Sequence, residues 1–259
     1  MPGSRGKWQG GVVMDDERRV FASADDLAIS VAALIGERLA GAGARDVHLA
    51  ISGGKTPGII FECLADQLPV VLSCRLHVWW VDERLVPPDD PESNYGLFAR
   101  TFLVRHPLPA GQVHRIHGEL DPDRALAGLR EELRILAEEE CRDAWGCQPV
   151  FDLVLLGVGA DGHTASVFPG DEAAFEADES CLAVCHPASG QGRITLSPKT
   201  IMAAREVVYC LTGTDKTGIA ARILDRGAPQ DLPAGRIRSR TGVTRWYLDR
   251  DAARLLSAP

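Results

Sequence analysis

Apolar residues recur along the chain with two alternating repeats. Leu27, Val31, Leu34, Ile35 and Leu39 return every three or four positions, the spacing of one helical face, and Ser23 or Asp25 can cap the start. Gly41 and Gly43 end that segment, and Val47-His-Leu-Ala-Ile51 reads as a strand. The unit then repeats. A helix is predicted over 57–68, with Pro57 suited to its first turn, and a strand over 76–81. A helix over 94–104, a short strand over 113–116 and a long charged helix over 121–142 follow. Phe151-Asp-Leu-Val-Leu-Leu156 is too continuously apolar for a sheet face in water, and suits a parallel strand covered on both sides. Strands at 181–185, 193–196 and 207–211, a helix at 216–224 and a strand at 244–248 complete the pattern. Strands alternating with helices predict an α/β fold with a mainly parallel sheet and helices on both faces.

No linker, repeat or low-complexity tract interrupts residues 20–259, so they are expected to form one domain. Residues 1–19, rich in glycine and charge, read as a flexible lead-in. The 259 residues carry 28 Lys+Arg against 36 Asp+Glu, a formal charge of −8. That balance argues against a nucleic-acid coat or a binder of anionic membranes, though not against a local basic pocket for a small anion. No apolar run approaches the roughly 18–20 residues that span a bilayer. The first eleven residues lack the apolar core of a secretory signal. The seven cysteines are odd in number and no two are spaced C-x-x-C, which favours reduced thiols in a cytoplasmic protein over a disulfide framework or a zinc site. Cys181, Cys185 and His186 read as part of a short buried strand rather than a metal cluster. No metal site is expected.

In an open parallel sheet, ligands bind beyond the carboxyl ends of the strands. Three polar segments sit at such ends. Ser52-Gly53-Gly54-Lys55-Thr56-Pro57 combines glycines that let backbone amides approach an oxyanion, a hydroxyl and a helix start with its unpaired N–H groups. It is a phosphate cradle or a tight turn, and it lacks the spacing of a Walker A loop. Asp82-Glu83-Arg84, with Ser93-Asn94 ten residues on, offers a guanidinium that can fork onto a phosphate or carboxylate, or pair with a surface acid. The sharpest segment is Gly157-Val-Gly159-Ala-Asp161-Gly162-His163-Thr-Ala-Ser166. A histidine at a strand end can exchange a proton near neutral pH, and Asp161 is close enough in sequence to orient it. The glycines do not form the dinucleotide fingerprint, so no NAD is invoked.

Arg193 and Lys216 open or follow strand ends and could add positive charge to the same pocket, or be solvated. His48 and His77 fall inside strands and are expected to be packed. His106, His114, His117 and His186 fall in or near loops without obvious partners. Trp79 and Trp80 read as core.

Taken in order, these segments resemble the glucosamine-6-phosphate isomerase/6-phosphogluconolactonase family, and its lactonase branch in particular. The matching pieces are the 52–57 turn; Asp82-Glu-Arg84 with Val86-Pro87 and Ser93-Asn94; Gly157-x-Gly-x-Asp-Gly-His-Thr-Ala-Ser-x-Phe-Pro-Gly170; Arg193-Ile-Thr-Leu196; Gly213-x-x-Lys216; and Trp246-x-x-Asp249-x-x-Ala252. The resemblance runs from about residue 20 to the C-terminus. It implies a Rossmann-like α/β fold and hydrolysis of 6-phospho-D-glucono-1,5-lactone to 6-phosphogluconate without metal or organic cofactor. Carried over by position, His163 is the general base and Asp161 its support. Arg84 and Lys216 hold the phosphate with Gly53, Gly54, Lys55 and Thr56. Asp82, Asn94, Gly159, Gly162 and Arg193 complete the substrate site. Lys55 stands where many relatives have serine, and Gly190-Gln-Gly192 replaces a proline-rich approach to Arg193. Backbone N–H groups of the 157–162 loop are expected to stabilise the oxyanion.

The deaminase branch of the family places a carboxylate after the histidine, in Phe-Asn-Glu-Pro, and a tyrosine after its Asp-Glu. This chain has Thr164-Ala-Ser-Val-Phe-Pro169 and Arg84 at those places. A glucosamine-6-phosphate deaminase/isomerase is therefore the alternative, followed by a non-catalytic sugar-phosphate-binding module. The expected partner is a small sugar-phosphate lactone rather than nucleic acid or membrane, with monomer and homodimer both left open.

Overall fold

Ser23 opens the first helix by accepting the backbone N–H of Asp26 at 3.1 Å, and Asp25 and Asp26 add negative charge to the first turn. That helix, α1 (Ala24–Gly41), buries Leu27, Val31, Leu34, Ile35 and Leu39, the stripe predicted from their spacing. The computed structural model describes residues 15–69, 73–140, 148–225 and 231–257.

Ahead of α1 lies β1 (Asp15–Phe21). The boundary expected at residue 20 therefore falls inside a strand: Asp15 to Arg19 pair in parallel with the last strand of the chain, and the ordered domain includes them. Their charged side chains hide the strand from a reading based on apolar pattern, because an edge strand needs little burial. Residues 1–14 lie outside the described residues.

The main sheet is built from β1, β2 (Val47–Ile51), β3 (Leu76–Trp80), β5 (Val113–His114), β6 (Leu153–Leu156), β9 (Glu206–Leu211) and β10 (Val243–Asp249). Their order is β1-β10-β9-β6-β2-β3-β5, and every pair is parallel. β2, β6 and β9 are buried along their whole length, as expected for β6 from its unbroken apolar run. The connecting helices are α1, α2 (Lys55–Gln67), α3 (Asn94–Phe98, continued by a π-helical turn, Ala99–Leu103), α4 (Pro122–Glu140), α5 (Glu172–Glu176), α6 (Pro198–Met202), α7 (Thr217–Leu224) and α8 (Pro233–Arg236). The predicted continuation of α4 to residue 142 reaches outside the described residues. Among the described residues no helix is long and apolar enough to cross a membrane.

A second, antiparallel sheet of β4 (Asp82–Arg84), β8 (Gly192–Leu196) and β7 (Cys181–Cys185) sits past the end of β3. Val81 joins the two sheets: its N–H donates to Ile51 O at 2.9 Å, and its carbonyl accepts from Leu196 N at 2.7 Å. β7 is less buried than its sequence suggested. Cys181 is in the core but Cys185 is exposed, because β7 is an edge strand. The thiols of Cys181 and Cys210 are pushed up by burial, to about 11 and about 12.

Trp79 and Trp80 are core residues, as expected. The loop histidines, by contrast, have partners. His114 bonds His77 Nδ1 at 2.9 Å and Glu132 at 2.7 Å; His106 donates to Ala65 O at 2.7 Å; His117 lies 3.2 Å from Glu119; and His186 Nδ1 accepts from Ala188 and Ser189 N–H. None of these contacts is local enough to be read from sequence, except those of His117 and His186.

His48 is packed within the sheet, where its Nδ1 accepts the indole N–H of Trp79 at 3.1 Å. Burial, aided by the neighbouring His77, lowers its pKa from 6.5 to about 3. The unfolded chain therefore binds more protons than the folded one between those values, and stability falls as pH drops from 6.5 toward 3. His48→Gln, which keeps an acceptor for Trp79, is expected to flatten this acid limb. Tm measured by circular dichroism across that range checks it, and parallel limbs for the two proteins would rule it out.

Candidate active site

The strand order reverses between β2 and β6: successive strands add outward on one side as β2, β3, β5 and on the other as β6, β9, β10. At such a switch point the connections leave in opposite directions and open a crevice at the carboxyl ends. A pocket of about 610 Å³ occupies this place. It draws its walls from the 52–57 turn, from Asp82, Arg84 and Asn94, from the loop after β6, from Arg193 on β8, and from Thr212 to Lys216 after β9. A second cavity, about 700 Å³, is lined by Trp246, Phe175 and several cations, and holds none of the expected site residues. Its Arg18, Lys199, Arg236 and Arg238 already face Asp225, Asp178, Glu172 and Asp16.

On the β2 side, the chain turns from strand to helix within three residues. Gly54 has φ +108°, a conformation that favours glycine, and α2 begins at the next residue, two earlier than Pro57 suggested. A Cβ on Gly53 would lie 1.7 Å from the Asn94 side-chain oxygen, so the absence of a side chain lets α3 close against the turn. Thr56 Oγ1 meets Thr212 Oγ1 at 2.6 Å and ties this turn to the one after β9. There Asp249, at the end of β10, accepts the N–H of Gly213 with both oxygens (3.1 and 2.9 Å) and that of Ala252 at 2.8 Å. The turn so held carries Lys216 into the pocket, where its Nζ is 3.3 Å from Asp215. Lys55, Thr56 and Lys216 thus line the same pocket as the start of α2, together with Asp215 and Asp249, and helix-start amides with cations suit an anionic group.

The β6 side supplies the acid–histidine pair. Asp161 Oδ1 accepts from His163 Nδ1 at 2.6 Å and from the His163 backbone N–H at 3.1 Å. Partial burial works against the charged Asp161, but the hydrogen bonds and charge of His163 outweigh it and hold the carboxyl below its ordinary value. With Nδ1 engaged, Nε2 is the ring nitrogen left to exchange a proton. His163 lines the pocket; Asp161 stands behind it. A Cβ on Gly159 would fall 2.1 Å from His163 Nδ1 and 2.6 Å from Asp161 Oδ1, so the pair exists only because position 159 has no side chain. Gly162, expected in the site, does not line it. Its φ of +90° turns the loop, and its carbonyl accepts from Ala234 N at 3.1 Å. The loop is also a poorer source of N–H donors than expected: Gly159 N donates to His163 O at 2.9 Å and Gly162 N to Gly159 O at 3.0 Å.

On the third side, Asp82 is the centre of a buried network. Its Oδ2 accepts from Ser166 Oγ at 2.5 Å, and its Oδ1 and backbone carbonyl accept from Asn94 Nδ2 at 3.3 and 2.8 Å. Arg193 reaches Ser166 Oγ at 3.4 Å and Asp82 at 3.9 Å. Glu83, which points away from the pocket, is buried and accepts four bonds, from Arg84 N, Asn94 N, Tyr95 N and Ser93 Oγ. Burial raises its pKa, and the three backbone N–H groups oppose the rise. It fastens the start of α3 beneath Arg84. Residue-by-residue reading missed Thr212 and underused Glu83, Ser166 and Asp249. Thr212 and Asp249 are polar residues at strand ends, and Glu83 and Ser166 lie within the polar segments already singled out, the signal that could have found them. Among the described residues no group of three or more His, Cys, Asp or Glu is arranged to hold a metal.

The family described as Glucosamine-6-phosphate isomerases/6-phosphogluconolactonase matches residues 22–246. The 6-phosphogluconolactonase of Haemophilus influenzae is 39% identical over 213 residues, 81% of this chain and 88% of that protein. The human 6-phosphogluconolactonase is 36% identical over 252 residues, 93% of each chain. The solved structure of 6-phosphogluconolactonase from Trypanosoma brucei superposes with a TM-score of 0.82 at 29% identity, covering 94% of this chain and all (100%) of the other.

The Gly159 contact gives a direct test. Gly159→Ala leaves an allowed backbone, so the strain falls on the side chains and His163 is expected to leave Asp161. The low-field Nδ1–H resonance of the pair should vanish in the proton NMR spectrum while Tm stays near that of the parent. A retained resonance would show that the contact tolerates a side chain at 159.

Proposed function

The chain belongs to the glucosamine-6-phosphate isomerase/6-phosphogluconolactonase family, and we propose that it hydrolyses 6-phospho-D-glucono-1,5-lactone to 6-phospho-D-gluconate. The observation that carries this reading is the His163–Asp161 contact at 2.6 Å, set in the same pocket as a cationic cradle for a phosphate. The relatives named above are lactonases, which supports the choice of reaction.

A lactone is an internal ester. Its hydrolysis needs an activated water, a place for the charge that develops on the carbonyl oxygen, and a proton for the ring oxygen as it leaves. His163 Nε2 takes the proton of the attacking water, and the resulting imidazolium is stabilised by Asp161 through Nδ1. The tetrahedral intermediate then collapses. The C1–ring oxygen bond breaks, and His163 returns the proton to that oxygen. The phosphate, held by the α2 start, Lys55, Thr56 and Lys216, contributes no chemistry but fixes C1 beneath His163, so remote binding energy lowers the barrier. The step as drawn uses no metal and no organic cofactor. The deaminase reaction requires a further carboxylate after the histidine. Here Phe168, directly before Pro169, stands where that pattern has its carboxylate.

The test is a coupled assay in which the lactone is generated from glucose 6-phosphate and its disappearance followed with and without the protein, in the presence of a chelator. His163→Ala is expected to lower kcat by at least about 10²-fold, the scale of general-base catalysis, with folding intact. A folded variant with near-parental turnover removes His163 from the mechanism. Lys216→Ala is expected to raise KM for the phosphorylated lactone by about ten- to two-hundred-fold, the worth of one charge-assisted bond, and to leave the low activity on unphosphorylated gluconolactone nearly unchanged. Equal proportional losses on the two substrates would deny Lys216 a phosphate-specific role.

A further inference from the structure

The second cavity, of about 700 Å³, is walled by β1, β10 and the helices α5 to α8, and shares no lining residue with the candidate active site. Arg18, Lys199, Arg236, Arg238 and Arg240 line it, against one acid, Asp16. Like charges gathered around one space repel, so their positions have to be held by other contacts. Neutral groups hold four of these five cations. Arg18 Nη2 donates to Leu224 O at 3.0 Å, and Lys199 Nζ to Glu176 O at 2.9 Å. The Arg236 guanidinium lies 3.5 Å from the centre of the Phe175 ring. The buried Arg238 lies 4.6 Å from the centre of a Trp246 ring and gives Nη1 to Ala234 O at 2.7 Å and Ile237 O at 3.0 Å. Carbonyls and ring faces fix a cation in place without setting a full negative charge beside it.

The acids that pair with these cations stand mostly outside the cavity. Arg18, Lys199 and Arg236 face Asp225, Asp178 and Glu172, none of which lines it. Only Asp16, the partner of Arg238, reaches it. The side chains of Glu172 and Asp178 are 64% and 99% exposed, so theirs are surface pairs of the weakest kind, which an anion inside the cavity displaces at small cost. The rest of the wall is apolar, with Pro198 and Met202 of α6 and Ile223 and Leu224 at the end of α7. The volume suits a small organic molecule, and an inorganic anion would leave the apolar wall unused.

We propose that this cavity is a binding site for an organic oligophosphate, with a chain of phosphates on the cations and an attached flat or apolar body against Met202, Ile223 and Leu224. Guanidiniums already laid flat on Phe175 and Trp246 lose little freedom when the ligand arrives. The site does not rest on the lactonase reading. α7 runs between the two pockets: Lys216 precedes its first turn and Leu224 ends it, about 10 Å further along the axis.

Binding calorimetry on the full chain with ATP, tripolyphosphate and adenosine, without divalent metal, separates the two halves of the site. The parent protein is expected to bind ATP at least about tenfold more tightly than tripolyphosphate, and adenosine more weakly than either. Arg236→Gln and Lys199→Gln should each weaken ATP by about ten- to two-hundred-fold, the worth of one charge-assisted contact. Lys216→Ala, in the other pocket, should leave ATP within about threefold of the parent. Glu172→Gln and Asp178→Asn alter exposed side chains and keep the fold even if the cation variants do not. Each removes a competitor for its cation and should tighten ATP by up to about fivefold. No binding of ATP at millimolar concentration, equal affinity for ATP and tripolyphosphate, or parental affinity in folded Arg236→Gln and Lys199→Gln overturns the proposal. So does ATP binding that is unchanged or weakened in both carboxylate variants. Loss of ATP binding in Lys216→Ala alone would seat the nucleotide in the candidate active site and overturn the proposal as well.

Discussion

A parallel sheet delivers all of its strand-to-helix connections to one end, and a change in the direction of strand order is the one place where those connections part. Here the change lies between β2 and β6. Every polar group of the candidate site depends on it. The 52–57 turn leaves to one side, the Gly157–His163 loop leaves from the centre, and the turn carrying Lys216 leaves to the other. The antiparallel sheet adds the fourth wall, and Val81 fixes that wall to β2 on one side and β8 on the other through two short backbone bonds.

The pocket is a cationic seat in an acidic chain, and the chain meets the cost of gathering cations by placing carboxylates behind them. Asp249 holds the backbone of the Lys216 turn. Glu83 holds the backbone that presents Arg84 and Asn94. Asp82 collects Ser166, Asn94 and, at longer range, Arg193. Most of these bonds go to backbone N–H or neutral side-chain groups rather than to the cations. These carboxylates therefore order the site largely through neutral groups, whereas Lys216 is paired directly with Asp215 at 3.3 Å.

On the proposed reading, acid–base capacity is concentrated on one imidazole. His163 is poised by Asp161 and faces Phe168 at 5.2 Å, with no carboxylate on the residues that immediately follow it. His48 is held neutral by burial, and the other described histidines bond to groups outside the pocket. A single base that alternately accepts and returns one proton suits ester hydrolysis. Chemistry that needs two acids at the same carbon would require another carboxylate in this loop.

The order of helices and strands was legible in the sequence because each central element has its own apolar repeat, and a repeat is a local property. The unbroken apolar run at 151–156 announced β6 as a strand covered on both faces. The three strand-end segments announced the site, since glycine, hydroxyl and charge gathered there serve no packing purpose. Tertiary structure alone decided the rest. β1 escaped notice because its charged side chains are tolerated at an edge, and only its pairing with β10 makes it a strand. β7 and β8 read like further members of the main sheet, because an antiparallel partner leaves no mark on either strand's own pattern. The 157–162 loop looked rich in free N–H groups until its internal bonds closed. Arg84 and Arg193, 109 positions apart, became a facing pair only through the β4–β8 register, because cross-strand pairing depends on long-range contacts rather than local pattern.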